Sequence, residues 1–254
     1  MLKKELSTAL LAAQKAGAIQ KKGLGTALSI ERKSDCSPVT QIDQKCEQTI
    51  KEIILNEYPE DGFLGEETEE IATNNGRRWI VDPLDGTRPF IRRIPTYSVL
   101  IALEQDNEPV LGVIYLPAMD CMCYGTKGGG AFINNNSIKV SPTLKLQNAM
   151  GSVLGYVENA NQPIGPKLLE LMKRWDYTYG FMDAYSYVCL ASGKIDICVN
   201  LLDKPWDCAA AACIIREAGG YYTDIKGNDS IHNGSILFTN KHLHSEILSV
   251  LNNP

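Results

Sequence analysis

Apolar residues recur at helical spacing from the start of the chain. Leu2, Leu6, Leu10, Ala13, Ala16 and Ile19 fall on one face of a predicted amphipathic helix over residues 1–20. The next segment, ERKSDCSPVTQID, is polar and contains a proline, which predicts a loop. Asp43 closes it and is placed to cap a second helix whose apolar positions are Cys46, Ile50, Ile53 and Ile54. YPEDGFLGEE then predicts a turn, a short strand and a pair of glutamates, Glu66 and Glu67. The apolar run Trp79 to Val81 predicts a buried strand that ends on two carboxylates, Asp82 and Asp85.

From Ser98 the period changes to that of a sheet. SVLIALEQ and EPVLGVIYLP flank the turn DNEP as a hairpin, and CMCYGT and AFINNNSIKV add strands around KGGG. Beyond residue 145 strands and helices alternate. SVLGY, IDICVN and SILFT read as strands; Lys167–Trp175, AYSYVCLASG, WDCAAAACIIREAGG and Leu243–Leu251 read as helices. The expected organisation is an N-terminal lobe, residues 1–145, carrying the acidic motifs, and a C-terminal α/β lobe, residues 146–254, that completes the site. The fold class is mixed α/β, with sheets and helices in layers.

Composition narrows the function classes. The chain has 254 residues, 44% hydrophobic, 22% charged, with a net charge of -5. That balance offers no electrostatic footprint for nucleic acid and none for an anionic membrane. No apolar run reaches the roughly 18–20 residues that span a bilayer, and the first helix lacks the pattern of a signal peptide, so a cytoplasmic location is expected. The eight scattered cysteines read as reduced thiols packed as small hydrophobes. Alternation puts Cys121 and Cys123 on one sheet face, where packing is favoured over a redox or metal role.

The acidic residues change the picture more. Asp82 and Asp85 stand at the C-terminal end of a buried strand, a favoured position for catalytic groups in layered α/β proteins. Glu66 and Asp207, the latter heading the alanine-rich helix, add further carboxylates. Each alone has a bland explanation, as a solvated loop, a turn or a helix cap. Together, hard oxygen donors suit Mg²⁺, Ca²⁺ or Mn²⁺ rather than zinc. His242 and His244 open a terminal helix, and no histidine lies in a serine or cysteine motif, so no Ser-His-Asp or Cys-His system is expected. In DGTRPF, Gly86 permits a turn, Thr87 can cap, and Pro89 fits a first helical turn; the free amides of such a start attract anions. One segment thus offers carboxylates for cations and amides for an anion, which metal ions plus phosphate would satisfy.

GEE, WIVDPLDGT and PWDCAAAACIIREAGG, in this order and spacing, resemble the inositol monophosphatase family of Mg²⁺-dependent phosphomonoesterases, over essentially the whole chain. The resemblance implies an α-β-α-β-α sandwich, a homodimer, and two or three Mg²⁺ per site with Mn²⁺ as a substitute. It implies that Glu66, Asp82 and the Leu84 carbonyl hold one metal, and that Asp82, Asp85 and Asp207 hold another. Asp43 and Thr87 match the family's activating pair, the Gly86 and Thr87 amides its phosphate cradle, and Lys33 a mobile lysine near a further metal. The implied chemistry is direct attack of activated water on phosphorus, with inhibition by Li⁺.

The substrate side departs from the inositol-specific pattern. RPFIRRIPT follows DGT where TNF is frequent, and the DGTR-x-F, PT…LIAL and KPWD features look more like the histidinol-phosphate phosphatase branch. Asn200 stands where both branches commonly carry a glutamate. Asp183, Arg88 and Asn200 are the expected substrate contacts, and a small-molecule phosphate monoester is the expected partner. Two other readings remain open: a bisphosphate nucleotidase or sugar bisphosphatase, with Lys33, Arg88, Arg92 and Arg93 for a second phosphate, and a regulatory protein acting through contacts.

Overall fold

The computed structural model describes residues 2–24, 30–32, 38–180 and 183–252. Lys33 and Cys36 lie outside the described residues. The N-terminal half runs α1 (Lys3–Gly23), β1 (Ile30–Arg32), β2 (Pro38–Thr40), α2 (Gln41–Glu57), β3 (Gly62–Gly65), β4 (Arg77–Asp85) and α3 (Thr87–Ile91). A meander follows: β5 (Ser98–Gln105), β6 (Glu108–Leu116), β7 (Cys121–Thr126), β8 (Gly130–Ile133) and β9 (Asn136–Ser137). The C-terminal half comprises β10 (Met150–Val153), α4 (Tyr156–Ala160), α5 (Gly165–Met172), β11 (Tyr177–Tyr179), α6 (Asp183–Ala191), β12 (Ile197–Asn200), α7 (Pro205–Glu217), β13 (Gly220–Thr223), β14 (Ile236–Asn240) and α8 (His244–Asn252).

β3 to β9 form a seven-stranded sheet in sequence order, and the later strands form a five-stranded sheet ordered β11-β10-β12-β14-β13. Both are buried on both faces, which explains their near-continuous apolar strands. Trp79 and Val81 of β4 pack with α1 and α2, whereas Ile80 between them packs with α6 and α7. In β12, Cys198 faces that same central helical layer, and Ile197 and Val199 face α5 and α8. The result is five alternating layers, α-β-α-β-α, as expected from the resemblance.

Close approach sets the residue choice at two helices. The buried stripe of α1 is Ala9, Ala12, Ala13, Ala16 and Gly17, while the larger Leu2, Leu6, Leu10 and Ile19 sit at its margins. The predicted stripe is therefore rotated: small side chains take the centre, where a Cβ at Gly17 would lie 2.5 Å from the Tyr115 ring. α7 uses its alanines likewise. A Cβ at Gly112 of β6 would lie 2.1 Å from the Ala210 carbonyl oxygen, so glycine there admits the helix.

Several elements differ in detail from expectation. β4 is longer than the predicted run and carries a register shift between Asp82 and Asp85. Pro83 sits in that irregularity, where a missing N–H does least harm, and buried Gln20 donates through Nε2 to the Pro83 carbonyl (2.8 Å). The short elements α4, β11 and β13 had no clear periodic signal. Turn DNEP holds: Asp106 and Asn107 both have positive φ, as a tight hairpin requires.

Candidate active site

The site lies where β4 ends. Its bulge exposes one end of Asp82, which remains only 3% exposed. Asp82 Oδ1 accepts a hydrogen bond from the Leu84 amide (2.9 Å), fixing the side chain beneath the turn. Asp85 Oδ2 accepts from Ser98 Oγ (2.6 Å) on β5 and from the Ala184 amide (2.9 Å) at the start of α6. The two carboxylates are thus held by different layers.

Gly86 is the N-cap of α3 with φ 77°, and a Cβ there would lie 2.9 Å from Asp183 Oδ2. Glycine is required on both counts. Thr87 is the first helical residue rather than the cap, which corrects the expected capping role. Its hydroxyl turns elsewhere, 3.0 Å from Asp43 Oδ1 and 3.2 Å from the Leu84 carbonyl oxygen.

Asp43 is likewise not a cap. Thr40 caps α2, and Asp43 sits at the third helical position, where Oδ2 accepts from the Thr40 amide (2.8 Å) and hydroxyl (2.5 Å). Its burial is complete, and burial raises its pKa above the ordinary aspartate value. Asp207 repeats the arrangement on α7. Lys204 occupies the N-cap, Pro205 opens the helix, and Asp207 Oδ2 accepts from the Lys204 amide (3.0 Å). The bland alternative for Asp43 and Asp207 is an N-cap; each instead reaches back to the N-cap amide from inside the first turn, leaving a carboxylate oxygen turned to other uses.

A cleft of about 320 Å³ opens over these groups. Glu66, Asp82, Leu84, Asp85, Gly86, Thr87 and Arg88 line its large-sheet side, and Asp183, Asn200 and Asp207 line the rest. Of the sequence-predicted site residues, only Asp43 is not in the lining, and it connects through Thr87. Lys33 falls outside the described residues.

The electrostatics are one-sided. Among the described residues none of Asp82, Asp85 and Asp207 forms an ion pair with lysine or arginine. Burial, followed by the charges of Glu66, Asp85 and Asp207, drives Asp82 far up from its ordinary pKa. Burial and then Asp203 do the same to Asp207. Asp85 is pushed up to about 6, chiefly by burial, and Asp183 to about 8 by burial and then Asp85. Such a set is unfavourable unless positive charge offsets it.

The donor chemistry fits a hard divalent cation: oxygen atoms only, from Glu66, Asp82, the Leu84 carbonyl, Asp85 and Asp207. Among the described residues no three acidic, histidine or cysteine side chains already converge as a finished cage. Like charges held partly by protein donors, as Asp82, Asp85 and Asp207 are, do not draw together unaided. The HLH segment is no alternative site. His244 is buried, each ring nitrogen 2.9 Å from a threonine hydroxyl (Thr223 and Thr239), and burial lowers its pKa to about 4; His242 is exposed. The seven described cysteines are free thiols, and Cys121 and Cys123 both pack in the central layer.

Among the cleft residues that were not anticipated are Asn159 and Asp203. Asn159 on α4 donates to the Leu154 and Gly155 carbonyls and accepts from the Leu201 amide (2.6 Å), tying α4 to the chain after β12. Asp203 lines the cleft, and Asn200 Nδ2 donates to its Oδ1 (2.7 Å). The only signal for Asp203 was a second aspartate in LLDKPWD.

Five alternating layers and an acid-lined cleft at a bulged strand end place the chain in the class of layered α/β sandwich phosphatases. The model of the inositol monophosphatase family matches residues 1–253, and the chain belongs to that family. A histidinol-phosphatase of Chlorobaculum parvum is 35% identical over 260 residues, covering 98% of this chain and 97% of its own length. An inositol-1-monophosphatase of Rhizobium meliloti is 35% identical over 234 residues, covering 89% and 87%. The crystal structure of the extragenic suppressor protein suhB from Bartonella henselae superposes with a TM-score of 0.89 at 30% identity, covering 98% and 99% of the two chains. The protein is therefore a phosphoric monoester hydrolase. No described helix is long and apolar enough to cross a membrane.

Proposed function

We propose that the protein hydrolyses a small phosphate monoester, of the histidinol phosphate or inositol monophosphate kind, in a Mg²⁺-dependent reaction with water. One observation carries this: Glu66, Asp82, Asp85 and Asp207 share a cleft with the start of α3, and the last three lack a basic partner among the described residues. Glu66, Asp82, Leu84, Asp85 and Asp207 are the proposed metal holders, with Mn²⁺ as substitute. Bound there, the cation supplies charge neutralisation and lowers the pKa of water.

The chain's own groups supply the rest. The first-turn amides of α3, at Gly86 and Thr87, have no intrahelical partners and are free to bind phosphoryl oxygens. Thr87 lies between the cleft and Asp43, so its hydroxyl can accept a proton from the attacking water while donating to Asp43. Asp43, its pKa raised by burial, is a better acceptor than an exposed carboxylate. Arg88 and Asp183 line the cleft beside Gly86 and are proposed to meet the substrate.

A second phosphate is disfavoured. Arg88 is the sole cationic side chain among the described cleft residues, whereas Arg92 and Arg93 are exposed outside it. The test is phosphate release from histidinol phosphate, inositol 1-phosphate and a sugar bisphosphate, with Mg²⁺ and with chelator. Release from the monoesters only with Mg²⁺ is expected, and millimolar Li⁺ is expected to inhibit. Metal-independent release, or none, would refute the proposal.

A further inference from the structure

We infer that Gln20, on α1, is a positioning residue for the metal site: its side-chain amide clamps the break between β4 and β5 and so sets the spacing of Asp82 and Asp85. The inference rests on the Mg²⁺-dependent reading above and adds to it a residue that lies outside the cleft.

Asp82 and Asp85 come from one strand, and side chains three apart on a regular strand point to opposite faces. Here the pairing with β5 slips. Asp82 stands opposite Leu100 and Asp85 opposite Ser98, so three steps on β4 match two on β5. The extra residue lets both carboxylates line one cleft. Two strands that have lost register need a tie from outside the ladder to stay at one spacing.

Gln20 supplies that tie. Its Nε2 donates to the Pro83 carbonyl (2.8 Å), between the two aspartates on β4, and to the Ser98 carbonyl (3.2 Å) on β5. Both amide hydrogens are thus spent across the break. Ser98 is also the residue whose Oγ donates to Asp85 Oδ2. Pro83 directly precedes Leu84, whose amide donates to Asp82 Oδ1 and whose carbonyl is a proposed ligand. The clamp therefore reaches one carboxylate through each strand.

Burial shows that the position needs these donors. Gln20 is fully buried, and its Oε1 has no hydrogen-bond partner. An unmet buried acceptor is unfavourable, and an apolar side chain would avoid it. α1 is seated to deliver the amide. Gly17, one turn earlier, lies against the Tyr115 ring, and Cys46 Sγ of α2 donates to the Ala16 carbonyl (3.5 Å).

The experiment measures Mn²⁺ binding without substrate, from the electron paramagnetic resonance signal of free Mn²⁺, beside thermal unfolding in chelator. Gln20→Met removes the donors and the unmet acceptor together; Gln20→Glu keeps the shape and removes the donors. Ala13→Gly, two turns earlier on α1, is the control for lost stability alone. Both Gln20 variants are expected to bind Mn²⁺ about 10- to 100-fold more weakly. The Mg²⁺ concentration for half-maximal phosphate release is expected to rise by a similar factor, with KM for the ester at saturating Mg²⁺ little changed. Ala13→Gly is expected to melt at a lower temperature and to bind Mn²⁺ as wild type does. Binding within about twofold of wild type in a folded Gln20 variant would overturn the inference, being below the loss expected of a group that orients metal ligands. So would equal weakening in Ala13→Gly, or unfolding of both Gln20 variants at the assay temperature, either of which assigns Gln20 to stability alone. Wild-type binding that the Gln20 variants retain leaves the Mg²⁺-dependent reading standing; no binding by wild type removes both.

Discussion

Asp85 and Thr87 stand two residues apart in sequence but are held by different partners. Asp85 is pinned by Ser98 and Ala184 through the same oxygen, Oδ2, so its other oxygen is directed by the protein and not by chance rotation. Asp85→Asn keeps the shape and removes the charge. It is expected to lower kcat by about 100-fold or more with the fold intact, judged by phosphate release alongside circular dichroism. Thr87→Val removes the hydroxyl that links the cleft to buried Asp43. A kcat loss of about 100- to 10,000-fold is expected, with KM little changed, the pattern of a lost proton acceptor. Near-normal kcat in this variant would show that Asp43 takes no part. At this scale the sequence revealed the residue types, because oxygen donors and DGT are written in the chain. It did not reveal orientation: Asp43 and Asp207 reach back to the N-cap amides from the third helical position, and Thr87 follows the N-cap Gly86.

At the scale of elements, the contact between α7 and β6 is the tightest seam in the central layer. Gly112→Ala forces a methyl group to 2.1 Å from the Ala210 carbonyl oxygen, so helix or strand must move. A loss of about 1–3 kcal/mol is expected, read as a lowered midpoint in urea unfolding. Because Asp207 heads the same helix, a parallel loss of activity is expected from its displacement. The main helices and strands were legible because periods of 3.6 and 2 survive in the apolar pattern. The short α4, β11 and β13 were not, since three to five residues carry too little periodicity. The bulge in β4 was hidden too: its Pro83 carbonyl is met by Gln20, far away in sequence.

Across the whole molecule, acids from opposite ends of the chain are buried at one place, and this links stability to pH. Asp85, Asp203 and Asp183 have folded-state pKa values pushed up to about 6, 7 and 8, against an ordinary value near 3.8. Between those limits the folded state binds more protons than the unfolded one, so stability falls as pH rises. In chelator the protein is expected to melt at a higher temperature at pH 5 than at pH 8. Mg²⁺ is expected to raise the melting temperature most at pH 8, where the carboxylates are ionised. A melting temperature in chelator that rises with pH, and is indifferent to Mg²⁺, would contradict the proposed site. The homodimer implied by the resemblance is a separate proposal, tested by sedimentation at twice the monomer mass.

The amino-acid sequence by itself determined the class of fold, the oxygen-donor chemistry and most of the residues that line the cleft. These follow from local properties: the period of apolar positions, the types of donor atom, and motifs confined to short stretches. Only the tertiary structure decided which oxygens are pinned, that Thr87 serves Asp43 rather than a helix end, and that Asp203, held by Asn200, stands in the cleft wall. Those outcomes depend on groups remote in sequence meeting in a buried place, where the loss of water makes every unmatched charge and hydrogen bond count.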